Sequence, residues 1–217
     1  MADEAESMAD EADEALDPVA ILGIDLSVYQ RARKDGSALP FDPEKVAAAG
    51  YAFAFVRLGH GLSVDPWGKD SIEKLQSVGV KCGPYWYLES AHPAAQQRAA
   101  YLGTLDGVEP DIAPALDVEE GGPGTADGAI LVLGGLVTSL GLPFLYTMPG
   151  EAAHAHFVAS PTIAEVSRLW QATWTTQKQP MACHPWSGYA VWQFDNAGGV
   201  PGIATKVDLN RSFVSLW

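Results

Sequence analysis

The segment "LDVEE" (116–120) places Asp117 and Glu119 two residues apart, directly after the apolar run "DIAPA". Carboxylates at the end of a buried strand are costly to keep there. Three roles could justify them: a helix cap, a metal site, or the acid and its partner in glycosidic bond cleavage. On a strand, residues i and i+2 point the same way. Asp117 and Glu119 are then expected to face one pocket, with Val118 turned into the surrounding layer. Crowded carboxylates cannot all ionise, so at least one pKa should rise, which is what a general acid near neutral pH requires. Two further acids fall at expected carboxyl ends of strands, Asp25 after "ILGI" and Asp208 in "KVDLN". Tyr29, Tyr85, Trp86, Tyr87, Tyr146, Trp170, Trp174 and Trp192 lie at or near strand ends too. Flat rings with polar tips beside acids suit a sugar cleft, although rings also fill cores.

The elements that must position these residues alternate along the chain. "AILGID" (20–25) reads as a strand, and "DPEKVAAAG" (42–50) as a helix opened by Asp42-Pro43 and closed by Gly50. "YAFAFVRLG", "VKCGPYWYL", "DIAPALDVE" and "PFLYT" read as further strands. "WGKDSIEKLQSVG", "HPAAQQRAAYLGTL" and "TADGAILVLGGLVTSLG" read as the helices between them. "VSRLWQATW" and "YAVWQFD" are strand-like, with less room for full helices. Successive strand–helix units with continuously apolar strands predict an α/β fold on a mainly parallel sheet covered on both faces. A barrel and a doubly wound sheet both fit. No Gly-x-Gly-x-x-Gly and no Walker-type loop follows the first strand, which argues against nucleotide binding. In a parallel barrel all the carboxyl ends share one rim, where chemistry sits.

Composition narrows the class. Of 217 residues, 47% are apolar and 18% charged, enough for one good core. The net charge of −14 is concentrated: residues 1–17 hold eight acidic side chains and no Lys or Arg. We expect residues 1–18 to form a disordered acidic arm and residues 19–217 a single domain. An acidic chain with no basic stripe is not expected to bind nucleic acid. No apolar stretch is long enough to span a bilayer, so no membrane insertion is expected, and no basic-then-apolar leader opens the chain. Cys82 and Cys183 have no metal-ligand spacing and are expected to be buried free thiols.

Beyond composition, a set of motifs carries a resemblance. "GIDLSVYQ" (23–30), "FAFVRLGHG" (53–61), "GPYWYL" (83–88), "PALDVEE" (114–120), "FLYT" (144–147), "LWQATW" (169–174), "VWQFDNAGGVPGI" (191–203) and "VDLN" (207–210) occur in this order. Together they resemble the glycoside hydrolase family 25 lysozymes, the Chalaropsis-type muramidases that include many phage endolysins. The resemblance covers essentially everything after the acidic arm. It implies an irregular, TIM-like (β/α) barrel that cleaves the β-1,4 bond between N-acetylmuramic acid and N-acetylglucosamine in peptidoglycan. By that similarity Glu119 is the general acid, Asp117 the stabilising partner, and Asp25 and Asp208 two further acids of the pocket floor. Tyr29, Tyr85, Tyr87, Tyr146, Trp170 and Trp192 are the expected substrate-binding rings. No metal or organic cofactor is implied, and we expect a monomer. Lacking a leader, such a protein would reach the wall by release during phage lysis, on a virion, or by another export route.

Two positions depart from the family pattern. His60 stands where an acidic residue is common, and Trp86 where a histidine is usual; both are expected to border the cleft. They leave room for a second function, a wall-binding or structural module that keeps the barrel without turnover. An enzyme acting on another amino-sugar polymer, such as chitin, is a third. His154 and His156 in "HAH" diverge on a helix and are expected to be surface residues. Trp67 and Trp186, in Pro-flanked loops, could contact sugar or pin those loops. The "GGPG" at 121–124 is expected to shape the loop beside the cleft.

Overall fold

The structure is a computed structural model and describes residues 19–217; the acidic arm expected over 1–18 lies outside the described residues. The elements run β1 (Ile21–Leu26), α1 (Val28–Arg31), α2 (Pro43–Ala48), β2 (Phe53–His60), β3 (Ser63–Val64), α3 (Gly68–Ser77), β4 (Lys81–Tyr87) and α4 (Ala94–Leu105). They continue with β5 (Ala115–Asp117), α5 (Thr125–Leu133), β6 (Phe144–Thr147), α6 (Ala152–Val158), a 3₁₀ turn (Pro161–Glu165), β7 (Arg168–Ala172), β8 (Val191–Gly199) and β9 (Lys206–Ser212). Local chemistry explains the helix ends. The Asp42 side chain accepts from Lys45 N with Pro43 at the first position of α2, and Gly50 follows at φ +90°, a conformation open to glycine. The helix expected over "TADGAILVLGGLVTSLG" stops at Leu133, where Gly134-Gly135 breaks it.

Eight strands close into a barrel in the order β1-β9-β8-β7-β6-β5-β4-β2, sealed by the β1–β2 pairing. Pairing is parallel from β1 through β2, β4, β5, β6 and β7 to β8. β9 runs antiparallel to both of its neighbours, and β3 hangs from β2 as a hairpin. The barrel is therefore irregular, and one expectation needs correcting. Asp208 is not at the carboxyl end of a strand: it is the third residue of β9, which reaches the rim amino end first because its direction is reversed.

Alternation along each strand sorts side chains between two cores. Phe53, Phe55, Phe144 and Trp170 fill the barrel interior, with Phe55 stacked on Trp170 at 4.3 Å. Ile24, Leu26, Val56, Leu116, Val118 and Leu145 face outward against the helices. Glycines make room for the interior rings: a Cβ on Gly23 would sit 2.4 Å from the Phe53 ring, and one on Gly83 would sit 2.7 Å from Phe55. Cys82 and Cys183 are both buried and unpaired.

Candidate active site

At the rim above the Phe55–Trp170 stack lies a cleft of about 470 Å³. Asp25, Asp117, Glu119 and Asp208 all line it, with Tyr29, Tyr85, Tyr87, Tyr146 and Trp170. The strand alternation is as the spacing predicts: Asp117 is buried facing the cleft, Val118 is fully buried in the outer layer, and Glu119 stands at the rim. A second hollow of about 330 Å³ shares Glu119, Tyr146, Gln193 and Asp208 with the first and adds Met148, Glu151, Trp174 and Asn196. Glu119 and Asp208 thus stand where two stretches of one groove meet.

The floor is a hydrogen-bonded network. Asp25 Oδ2 accepts from Gln193 Nε2 at 2.9 Å and from Asn210 Nδ2 at 2.8 Å. Asn210 Oδ1 accepts from Trp170 Nε1, and Gln193 Oε1 accepts from Tyr146 Oη and Trp174 Nε1. Asp25 is therefore fixed by two side-chain amides. Asp117 Oδ1 is different: it is buried and has no hydrogen-bond partner within the protein. Such an atom is costly unless something else occupies it.

All four carboxyls are pushed above their ordinary range. Burial is the main cause at Asp117, followed by the charges of Glu119 and Asp25, with Arg57 opposing. At Glu119 burial leads, then the charges of Glu151, Asp208 and Glu120. Asp25 is raised by burial and by Asp208, and burial lifts Asp208 to about 6. Each carboxyl of the site is therefore harder to ionise than an isolated acid.

Four cleft residues were not singled out from the sequence. Arg57 projects from β2 in step with Phe53 and Phe55, and Asp65 holds its Nε at 2.8 Å. Ser27, Gln193 and Glu89 complete the set. For Arg57 and Gln193 the period-two pattern of strands β2 and β8 carried the signal.

Other expectations are corrected. Trp192 is not a cleft residue: it is fully buried on the opposite face of β8 from Gln193, donates to Thr173 O and lies under Arg211 at 3.8 Å. Trp86 does not border the cleft either, because it alternates with Tyr85 and Tyr87. It is buried in the outer layer, stacked on Tyr101 with Nε1 donating to Gly61 O. His60 does line the cleft, with Nδ1 2.6 Å from Glu89 Oε1. Trp186 packs edge-on against Phe157, and Trp67 lies near the Arg31 guanidinium; neither lines the cleft. His154 Nε2 is 2.8 Å from His184 O. Among the described residues no group of three His, Cys, Asp or Glu side chains is arranged to hold a metal ion.

A family model described as Glycosyl hydrolases family 25 matches residues 24–203. The chain belongs to this family. As a family 25 member it is a glycoside hydrolase, and the matched span contains Asp25, Asp117 and Glu119 but ends before Asp208. Solved structures share the fold. The bacterial lysozyme from Streptomyces coelicolor superposes with a TM-score of 0.70 at 19% identity, over 92% of this chain and 94% of that one. A muramidase from Acremonium alcalophilum gives 0.65 at 20% identity, over 88% and 92%. The modular autolysin LytC from Streptococcus pneumoniae, in complex with a synthetic peptidoglycan ligand, gives 0.67 at 17% identity, over 88% of this chain and 46% of LytC. No curated protein matches the sequence.

Proposed function

We propose that this family 25 barrel is a peptidoglycan hydrolase, an N-acetylmuramidase that cuts the β-1,4 bond between N-acetylmuramic acid and N-acetylglucosamine. The observation that carries the reading is the pairing of Asp117, the last residue of β5, with Glu119 two residues beyond it, inside an aromatic cleft that continues past Glu119 on both sides. The names of the relatives, a lysozyme, a muramidase and an autolysin bound to a peptidoglycan ligand, point to the same polymer. Residues 19–217 are read as one catalytic domain.

The residues suggest a division of labour. Glu119, half-buried and with its pKa raised by burial and neighbouring charge, gives its proton to the glycosidic oxygen as the bond to the anomeric carbon breaks. Asp117 Oδ1, without a partner in the protein, accepts the N–H of the substrate's acetamido group. That contact orients the acetamido oxygen towards the anomeric carbon and stabilises the oxocarbenium-like centre or the cyclic intermediate formed from it. Water then adds at the anomeric carbon, and Glu119 takes back a proton from it. Asp25 and Asp208 act from the floor, with Asp25 fixed by Gln193 and Asn210. The rings of Tyr29, Tyr85, Tyr87, Tyr146 and Trp170 supply faces and hydroxyls for sugar.

The test is to digest purified peptidoglycan and identify the sugar at each new reducing end by mass spectrometry. Muramic acid at those ends supports a muramidase. Glucosamine ends would assign a different bond, and co-sedimentation without new ends would make the protein a wall-binding module.

A further inference from the structure

The cleft has a branch. Beyond Glu89, which lines the cleft, a separate pocket of about 440 Å³ opens between the loop after β4 and the glycine-rich loop after β5. It does not continue the groove that passes Glu119, because that groove runs towards Trp174.

The walls of the branch differ in kind from those of the cleft. Five tyrosine or tryptophan side chains line the cleft, whereas none of the branch-lining residues is Tyr, Trp or Phe. Sugar rings pack on aromatic faces; this pocket offers none. Its walls include Pro93, Ala94 and four glycines (Gly121, Gly122, Gly124 and Gly128), which bring bare backbone to the surface between polar side chains such as Ser90 and Thr125. An extended peptide binds such walls through main-chain hydrogen bonds and small side chains.

The pocket is also held open by its own framework. Buried Gln97 accepts from Glu89 N at 2.9 Å and donates to Glu89 O and His92 O, both at 2.8 Å. Glu120 ties the two loops together by accepting from Ser90 N at 2.8 Å. At the mouth, His60 Nδ1 lies 2.6 Å from one oxygen of Glu89, and His92 Nε2 lies 3.3 Å from the other. This carboxylate between two imidazoles faces both cleft and branch, ready to accept from a peptide N–H or ammonium group.

We propose that the branch is a subsite for the short peptide carried by the glycan. It rests on the reading of the substrate as peptidoglycan, whose muramic acid bears a peptide substituent. The sugar backbone follows the aromatic groove, and its substituent leaves at Glu89 and lies along the 121–124 loop.

Gly122 provides the test. Gly122 lines the pocket, a Cβ there would meet nothing within 4 Å, and its φ is not positive, so Gly122→Phe adds a ring at the pocket wall without backbone strain. The assay compares kcat/KM on peptide-bearing peptidoglycan with that on the same glycan stripped of peptide by an amidase. Wild type should prefer the peptide-bearing polymer, and Gly122→Phe should reduce that preference at least tenfold. Equal rates of wild type on both polymers, or a preference unchanged by Gly122→Phe, would overturn the subsite while leaving the muramidase reading intact. No cleavage of either polymer by wild type would instead sink that reading. Should the variant not fold, the amidase-released peptide added to wild type should inhibit cleavage of the peptide-bearing polymer. No inhibition would overturn the proposal equally well.

Discussion

Asp25 and Asp208 stand directly opposite one another on the antiparallel strands β1 and β9, so each carboxyl feels the charge of the other. Two carboxyls in that relation cannot both ionise freely, and Asp25 is the more deeply buried of the two. Both native pKa values are raised, that of Asp208 to about 6. A carboxyl raised on folding contributes stability that is full below its unfolded pKa of about 3.9 and is lost as pH rises through the folded value. Asp70 and Asp111, lowered by Lys and Arg partners against burial, slope the other way, so the informative quantity is a difference. Asp25→Asn mimics the protonated form and should gain stability relative to wild type between pH 4 and pH 7. Thermal melts of both proteins across that range check it; a constant offset would contradict the raised Asp25 carboxyl.

Glu151 is the leading charge that, after burial, holds the Glu119 proton in place. Glu151→Gln should move the alkaline limb of the kcat profile to lower pH, because an acid freed of that repulsion ionises earlier. A pH–rate profile of the variant decides the matter. An unmoved limb would mean that another group sets it.

Asp65 binds three things at once: Arg57 Nε at 2.8 Å, Arg57 Nη2, and Val28 N at 3.1 Å at the start of α1. Arg57 in turn lies 5.4 Å from the Tyr29 ring. Removing one partner of a buried ion pair leaves an uncompensated charge and costs about 3–5 kcal/mol. Asp65→Asn should therefore be strongly destabilised, and the double variant Arg57→Gln/Asp65→Asn should recover part of the loss. Its KM should nevertheless stay high, since the cleft has lost Arg57. Denaturant melts and steady-state kinetics on the two variants separate the two effects.

Trp86 belongs to packing, and Gly59 makes the space for it: a Cβ on Gly59 would approach the Trp86 ring to 2.4 Å. Trp86→Ala should cost about 3–5 kcal/mol of stability. Trp86→His should also be less stable than wild type and gain nothing in turnover, measured by melts and by reducing-end release.

The sequence carried much of this site because the strand period is two. From "LDVEE" alone, Asp117 and Glu119 fall on one face and Val118 on the other. The same rule applied to "VWQ" and "YWY" would have chosen Gln193 over Trp192 and left Trp86 to the core. Ring chemistry outweighed parity there, and the assignment failed. The direction of β9 was not legible, because nothing local in "KVDLN" distinguishes a parallel from an antiparallel partner. Nor was the Asp65–Arg57 pair, which depends on the β3 hairpin turning the chain back on β2.

The account stands most directly on Glu119 as the proton donor. Turnover of purified peptidoglycan by Glu119→Gln, with a thermal melt to show that the variant is folded, tests it. General acid catalysis is worth on the order of a hundredfold or more, so turnover should fall by at least that factor at an unchanged melting temperature. A folded variant that keeps more than about a tenth of wild-type turnover would contradict the assignment, because so small a loss is below what a missing acid costs.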